Sequence, residues 1–300
     1  MSSSTPGNGR IQAWTLAARP KTLTAAVAPV LVGAGLAIHD GVFVALPAAA
    51  ALVGAVLIQI GTNFANDYYD FVRGGDTEER VGPTRVTQAG IIAPKEVRRG
   101  MFIVLSAAML VGVYLVAVAG WPIVLIGLAS VICAVAYTGG PFPLAYHGLG
   151  DVFVFLFFGL IAVGGTYYVQ ALTWPPDALL AGAGLGALST AILAMNNLRD
   201  IRTDERAGKR TLAVRIGVAG TRAELVWLIV CATLVPVIGW LAFDWPAASL
   251  SSLLAILLAI SPLRTAFRYE HPSELIPALG QTARVVVVYG AALAAGLALG

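Results

Sequence analysis

The stretch "ALVGAVLIQIGTNFANDYYD", residues 51–70, changes character halfway along. From Ala51 to Ile60 only Gln59 is polar; the amides Asn63 and Asn66 and the carboxyls Asp67 and Asp70 then follow within one short segment. A second apolar run ends the same way, in "NNLRD" at 196–200. Any fold for this chain must explain acids and arginines gathered at the mouths of two apolar segments.

Composition says what solvent those segments face. The chain has 300 residues, of which 58% are hydrophobic and 12% charged. A soluble domain carries about 25% charged residues, so a water-exposed surface cannot be built here. A helix needs about 20 apolar residues to cross a bilayer. Nine runs approach that length, at about 22–38, 43–62, 101–119, 122–137, 152–171, 178–195, 225–243, 247–262 and 282–299. The reading is an all-α integral membrane protein with nine transmembrane helices in one domain over 1–300, preceded by a polar tail at 1–17. The first ten residues, "MSSSTPGNGR", lack the apolar core of a cleaved signal. Cys133 and Cys231 lie in apolar runs and read as packing residues, not a disulfide framework. A net charge of +3 gives no reason to expect a nucleic-acid partner.

Charge placement sets the orientation. With the N-terminus in the cytoplasm, the outer loops are 39–42, 120–121, 172–177 and 244–246, and none holds a Lys or Arg. All 19 basic residues then fall on the cytoplasmic side or at its edge, the bias that fixes membrane topology. Nine crossings leave the C-terminus outside. Trp121-Pro122, Trp174-Pro175 and Trp245-Pro246, in outer turns, read as interfacial anchors. Two long cytoplasmic connections, about 63–100 and 196–224, contain both acidic clusters and read as ordered helical caps.

The clusters are related by an offset of 130 residues. Asn66, Asp67 and Asp70 superpose on Asn196, Asn197 and Asp200, and Arg80 and Arg85 on Arg210 and Arg215. A duplicated four-helix unit would produce this pattern, with the site at the interface between the repeats. The two clusters are then expected to face each other.

Their side chains suit one chemistry. On a helix Asn63, Asn66, Asp67 and Asp70 share a face; Asn196, Asn197, Asp200 and Asp204 do likewise, and Asp76 follows a Gly-Gly turn. Hard oxygen donors of this kind suit Mg²⁺, bound through a few carboxylates together with substrate phosphates. The candidate metal ligands are Asn63, Asn66, Asp67, Asp70, Asp76, Asn197, Asp200 and Asp204, with Asp67, Asp70, Asp200 and Asp204 as the catalytic carboxylates. Arg73, Arg80, Arg85, Arg199, Lys209 and Arg215, with Asn66, are candidates to clamp a diphosphate, while some of these bases serve only as ordinary cytoplasmic charges. A Mg²⁺–diphosphate site at the mouth of an apolar bundle implies an amphipathic substrate, and a prenyl diphosphate fits. Its departure leaves an allylic cation, which apolar walls protect from water and aromatic faces such as Tyr137 can stabilise.

At these residues the sequence resembles the UbiA superfamily of intramembrane aromatic prenyltransferases, which carries an N-D-x-x-D motif with further Asp, and a second Asp-rich motif about 130 residues on. Here they read "NDYYDFVRGGD" and "NNLRDIRTD". Asn197 stands where the general pattern has Asp, which leaves fewer carboxylates in the second cluster. The strings "ARPKTL" at 18–23, "DTEERVGPTRVTQAG" at 76–90, "YTGGPFPLAYHGLGD" at 137–151 and "AGKRTLAVRIG" at 207–217 are similar to the branch that prenylates 1,4-dihydroxy-2-naphthoate in menaquinone biosynthesis. The resemblance implies a UbiA-like nine-helix bundle in the cell membrane, Mg²⁺ dependence, a long polyprenyl diphosphate donor, that naphthoate as acceptor, and loss of CO₂ as the prenyl group replaces the carboxylate. Lys21, Tyr137, His147 and Asp151 are candidate acceptor contacts; His147 and Asp151 read equally as a loop cap and a surface charge. Two other readings compete. One is a prenyltransferase with another aromatic acceptor, such as 4-hydroxybenzoate or homogentisate. The other is a transporter, which would place ionisable groups near the bilayer midplane, where this chain is nearly charge-free.

Overall fold

The computed structural model describes residues 6–74, 82 and 84–300. The described residues form helices and turns, with no strand among them. In chain order the helices are α1 (Pro6–Ala18), α2 (Pro20–His39), α3 (Ala45–Val72), α4 (Pro94–Ala119) and α5 (Trp121–Ala136). They continue as α6 (Gly150–Ala171), α7 (Pro176–Arg206), α8 (Leu212–Ala242), α9 (Ala247–Arg268) and α10 (Pro272–Leu299).

Eight of these are long and apolar enough to cross a membrane, and α5 is a shorter apolar helix. Each of the nine expected spans therefore falls on its own helix. In lipid no water can satisfy backbone N–H and C=O groups, so every crossing segment closes its own hydrogen bonds as a helix. The outward faces are as apolar as the inward ones. On α4, Met101, Leu105 and Ala108 are buried while Ile103, Leu110 and Val113 are exposed, Leu110 by 73%. In water such a face would be a liability; against acyl chains it is ordinary.

α7 is the central helix, with 72% of its most apolar window buried. It packs most extensively on α8, as α3 does on α4 and α2 on α10. Small residues allow the close approach. A Cβ at Gly159 of α6 would stand 2.5 Å from the Gly182 carbonyl oxygen of α7. Around Gly159, residues Leu156–Ile161 form a π-helical turn within α6.

Four features differ from the sequence reading. Residues 6–18, expected within a polar tail, form α1, where Trp14 packs edge-on to Phe64 with ring centroids 5.4 Å apart. The first acidic cluster, expected in a cap loop over 63–100, rides on α3, which continues to Val72. The second rides on α7 to Arg206, so the connection expected over 196–224 shrinks to 207–211 before α8 begins. Trp121 is exposed as expected of an anchor, but Trp245 is only 2% exposed, because glycine at position 239 leaves room for its ring against α8.

Candidate functional site

The site forms where the ends of α3 and α7 meet two connecting segments, 137–150 and 207–211. Helical periodicity puts four α3 side chains on one face, but their neighbours divide them into two kinds. Asn63 is spent on structure: its amide Nδ2 donates to the Ala18 carbonyl at 2.8 Å and to Thr22 Oγ1 at 2.9 Å, and its Oδ1 accepts from Gln59 at 3.3 Å. It pins the break between α1 and α2. Asp67, 1% exposed, accepts from the backbone N–H groups of Val86 and Thr87, both at 3.2 Å, and so anchors the segment leading to α4. Asp70 and Asn66 point elsewhere. Asp70 receives Arg85 Nη2 at 2.8 Å and the Tyr146 hydroxyl at 3.5 Å. Asn66 accepts from Thr138 Oγ1 at 3.0 Å.

On α7, Arg199 grips its neighbour Asp200 through two nitrogens and reaches back to Asn196 Oδ1 at 2.9 Å. Asn197 is buried. Asp204 lies 3.7 Å from Lys209 Nζ through one oxygen, while its Oδ2 is buried and receives no hydrogen bond. Asp70 and Asp200 both lie within electrostatic reach of Asp204, so the two clusters converge. A carboxylate oxygen left without a donor in a buried site carries a desolvation cost. A cation shared with phosphate oxygens would remove it. Among the described residues no three carboxyl, His or Cys side chains form a cage by themselves. That suits Mg²⁺, which takes few protein ligands and completes its shell with water and substrate phosphates. The residues present fit such an ion, with Asn66, Asp70, Asp200 and Asp204 as the candidate oxygens, of which Asp204 Oδ2 is buried without a donor.

The 137–150 segment closes the site. The Tyr146 ring meets two cations: the Arg73 guanidinium and the Lys209 ammonium each sit 5.7 Å from its centroid. Arg73 also donates to the Gly140 carbonyl. The Tyr146 carbonyl accepts the Arg210 N–H at 3.1 Å, and Arg215 Nη2 donates to the His147 carbonyl at 2.9 Å, so both connecting segments are stitched together. Gly148 makes this possible: its φ is +73°, and a Cβ there would stand 2.8 Å from Arg215 Nε. Tyr137 sits over Gly150; burial pushes its phenol pKa up, and the nearby charges of Asp151, Asp70 and Asp204 push the same way.

The structure thus brings together Asn66, Asp70, Arg73, Arg85, Tyr137, Arg199, Asp200, Asp204 and Lys209, with Arg215 beside them. His147 stacks on Phe142 with centroids 3.6 Å apart, its Nδ1 2.9 Å from the Pro143 carbonyl oxygen, within its own segment. Lys21 is exposed at the start of α2. Asp76 and Arg80 lie outside the described residues. Sequence reasoning missed Tyr146, whose only signal was a second tyrosine in a Gly- and Pro-rich segment. It also missed Glu224, one residue before the expected span 225–243 and here well inside α8.

The model of the UbiA prenyltransferase family matches residues 26–297. The chain is 37% identical over 305 residues to the 1,4-dihydroxy-2-naphthoate octaprenyltransferase of Haemophilus influenzae, covering 98% of each chain. It is 39% identical over 291 residues to the Escherichia coli protein of the same name, covering 92% of this chain and 91% of that one. Its fold is similar to that of a UbiA homolog from Archaeoglobus fulgidus bound to GPP and Mg²⁺, with a TM-score of 0.66 at 15% identity, over 94% of this chain and 99% of that one.

Proposed function

Because this chain belongs to the UbiA prenyltransferase family, we propose that it transfers a polyprenyl group from its diphosphate to 1,4-dihydroxy-2-naphthoate, with loss of CO₂. The name shared by its near-full-length relatives carries the choice of acceptor. The converging acidic and basic groups support the chemistry. Asn66, Asp70, Asp200 and Asp204 would hold Mg²⁺, which when bound supplies positive charge for the leaving diphosphate. Asp70 and Asp200 are already engaged by Arg85 and Arg199. In this reading the carboxylates turn to the metal on binding and the guanidinium groups turn to phosphate oxygens, which accept bidentate contacts as carboxylates do. Arg73, Lys209 and Arg215 border the same space, and Arg80 stays a candidate from the sequence alone. Asp67 and Asn63 hold the frame.

The tail would run between the helices, whose apolar walls keep water from the allylic cation. The acceptor would lie toward Tyr137 and Asp151. In this reading His147 shapes the segment and Lys21 lies at the rim. The distribution of Lys and Arg supports a cytoplasmic mouth, with the N-terminus inside and, after nine crossings, the C-terminus outside.

The test is an acceptor panel: isolated membranes, labelled polyprenyl diphosphate and Mg²⁺. The expected product is prenylated naphthalenediol, with one CO₂ released per prenyl group and none formed in EDTA. Turnover of 4-hydroxybenzoate with its carboxylate retained, and none of the naphthoate, would overturn the acceptor assignment. Cysteine labelling tests the topology: in sealed cells position 174 should react from outside and position 204 should not.

A further inference from the structure

Asp151 opens α6 and is 6% exposed. Both of its oxygens are buried, and no N–H or hydroxyl of another residue donates to them. What it meets is the carboxyl of Glu224 on α8, at hydrogen-bonding range, and Glu224 Oε2 is likewise buried without a donor. Two carboxylates in contact at low dielectric do not both stay ionised; they share a proton. Tyr137 links the pair electrostatically to the diphosphate end of the site. A Cβ at Gly150 would stand 3.0 Å from the Tyr137 hydroxyl, and Tyr137 lies within electrostatic reach of Asp151, Asp70 and Asp204.

The acceptor has to enter this neighbourhood. Its attacking carbon must come within about 3–3.5 Å of the allylic carbon, which is itself bonded to the diphosphate. We infer that Asp151 and Glu224 act as one proton-sharing carboxyl pair that takes the ring-hydroxyl proton of an aromatic acceptor as the new carbon–carbon bond forms, and returns it when CO₂ leaves. The inference rests on the acceptor reading above and adds the proton path to it.

The step balances as follows. The ring carbon bearing the carboxylate supplies two π electrons to the allylic carbon, and the allylic C–O bond breaks with its electron pair going to the diphosphate. The O–H electrons of the adjacent ring hydroxyl become the second bond of a carbonyl, and the proton passes to the pair, which becomes neutral. The product of this half is a β-keto carboxylate. Its C–CO₂ bond then breaks, the electrons flow into the carbonyl to give a naphtholate, and the pair returns the proton to that oxygen. The pair ends as it began, and the net products are prenylated naphthalenediol, CO₂ and diphosphate. A pair holding one proton and one negative charge suits this cycle, because accepting a second proton removes a buried charge.

The experiment uses Asp151→Asn, Glu224→Gln and the double variant in the full chain. Proton transfer by a positioned side chain is worth about 10²–10⁴-fold. Each single variant is therefore expected to lower kcat by at least about 10²-fold, while KM for the polyprenyl diphosphate stays within about twofold. The double variant should be little worse than either single, since the two groups act as a unit. The infrared spectrum of the wild type at neutral pH should show a protonated-carboxyl band that Glu224→Gln removes. Turnover within about twofold of wild type in Glu224→Gln, a rise in KM that matches the fall in kcat, or absence of that band would each overturn the pair. A wild type that leaves the naphthoate untouched would instead sink the acceptor reading and this proton path with it, whatever the band shows.

Discussion

Arg199 holds Asp200, its immediate neighbour in the chain, by two nitrogens: Nε lies 2.7 Å from one carboxylate oxygen and Nη2 2.5 Å from the other. Consecutive residues on a helix point about 100° apart, so the long arginine must curl back along α7 to make this fork. Its side chain is fully enclosed, and Nη1 is buried with no acceptor. The arrangement pairs a carboxylate within a closed site and leaves one donor spare.

That spare donor makes the identity of residue 199 matter. Lysine has no planar fork, so it can hold either Asp200 or a phosphate oxygen but not present both faces at once. Arg199→Lys is expected to keep the fold and raise KM for the polyprenyl diphosphate about tenfold, as the loss of one charged hydrogen bond would. Arg199→Ala leaves Asp200 as an uncompensated buried charge and should cost about 3–5 kcal/mol of stability, read by thermal unfolding in detergent. Equal KM values for Arg199→Lys and wild type would remove this residue from the diphosphate site.

Asp67 and Asp70 sit on one face of one helix, yet the structure gives them different work. Asp67 satisfies two backbone N–H groups, whereas Asp70 faces Arg85 and the second cluster. Asn in either place removes a charge, so turnover alone does not separate the two roles. A Mg²⁺ titration does. Asp70→Asn should lower turnover at least about 10²-fold and move the Mg²⁺ requirement upward. Asp67→Asn should leave the Mg²⁺ midpoint where it was and expose the 84–93 segment to protease. A shifted midpoint in Asp67→Asn would return it to the metal.

This pair also marks the limit of the sequence reading. The eight long apolar helices and the shorter α5 were legible because lipid demands uninterrupted apolar runs, and runs are a local property. The convergence of the two acidic ends was legible through the 130-residue offset. What Asp67 binds depends on Val86 and Thr87, some twenty residues on, and no helical spacing encodes that choice. Trp245 reads like Trp121 in its Trp-Pro context; only the glycine at 239, on the neighbouring helix, decides that one is buried. Glu224 escaped because the expected span began one residue after it, so it read as one more charge of a long connection.

Gly148 is a backbone requirement that substitution should expose. Its φ of +73° disfavours any side chain, and a Cβ would collide with Arg215 Nε at 2.8 Å. Gly148→Ala is expected to cost about 1–2 kcal/mol from the dihedral alone, with more from displacing Arg215. The loss should appear as a lower unfolding temperature together with a higher KM for the diphosphate substrate. An unchanged KM would mean that Arg215 only staples the two connecting segments.

Tyr146 offers the clearest separation between a ring and its hydroxyl. The ring meets both Arg73 and Lys209, 5.7 Å from each, while the hydroxyl reaches Asp70 only at 3.5 Å. A contact that long contributes little. Each cation–π contact is worth about 0.5–1 kcal/mol at a partly exposed site, so the ring contributes about 1–2 kcal/mol in total toward holding two positive charges over the mouth. Tyr146→Phe keeps the ring and should behave like wild type. Tyr146→Leu frees both cations, and their ordering must then be supplied when the diphosphate binds. KM for the polyprenyl diphosphate should rise about 5–30-fold with kcat little changed, the conversion of that energy at about 1.4 kcal/mol per decade. A Tyr146→Phe variant as impaired as Tyr146→Leu would move the function to the hydroxyl and its contact with Asp70. Equal KM values in all three proteins would show that the cations are held by their other partners, Gly140 for Arg73 and Asp204 for Lys209.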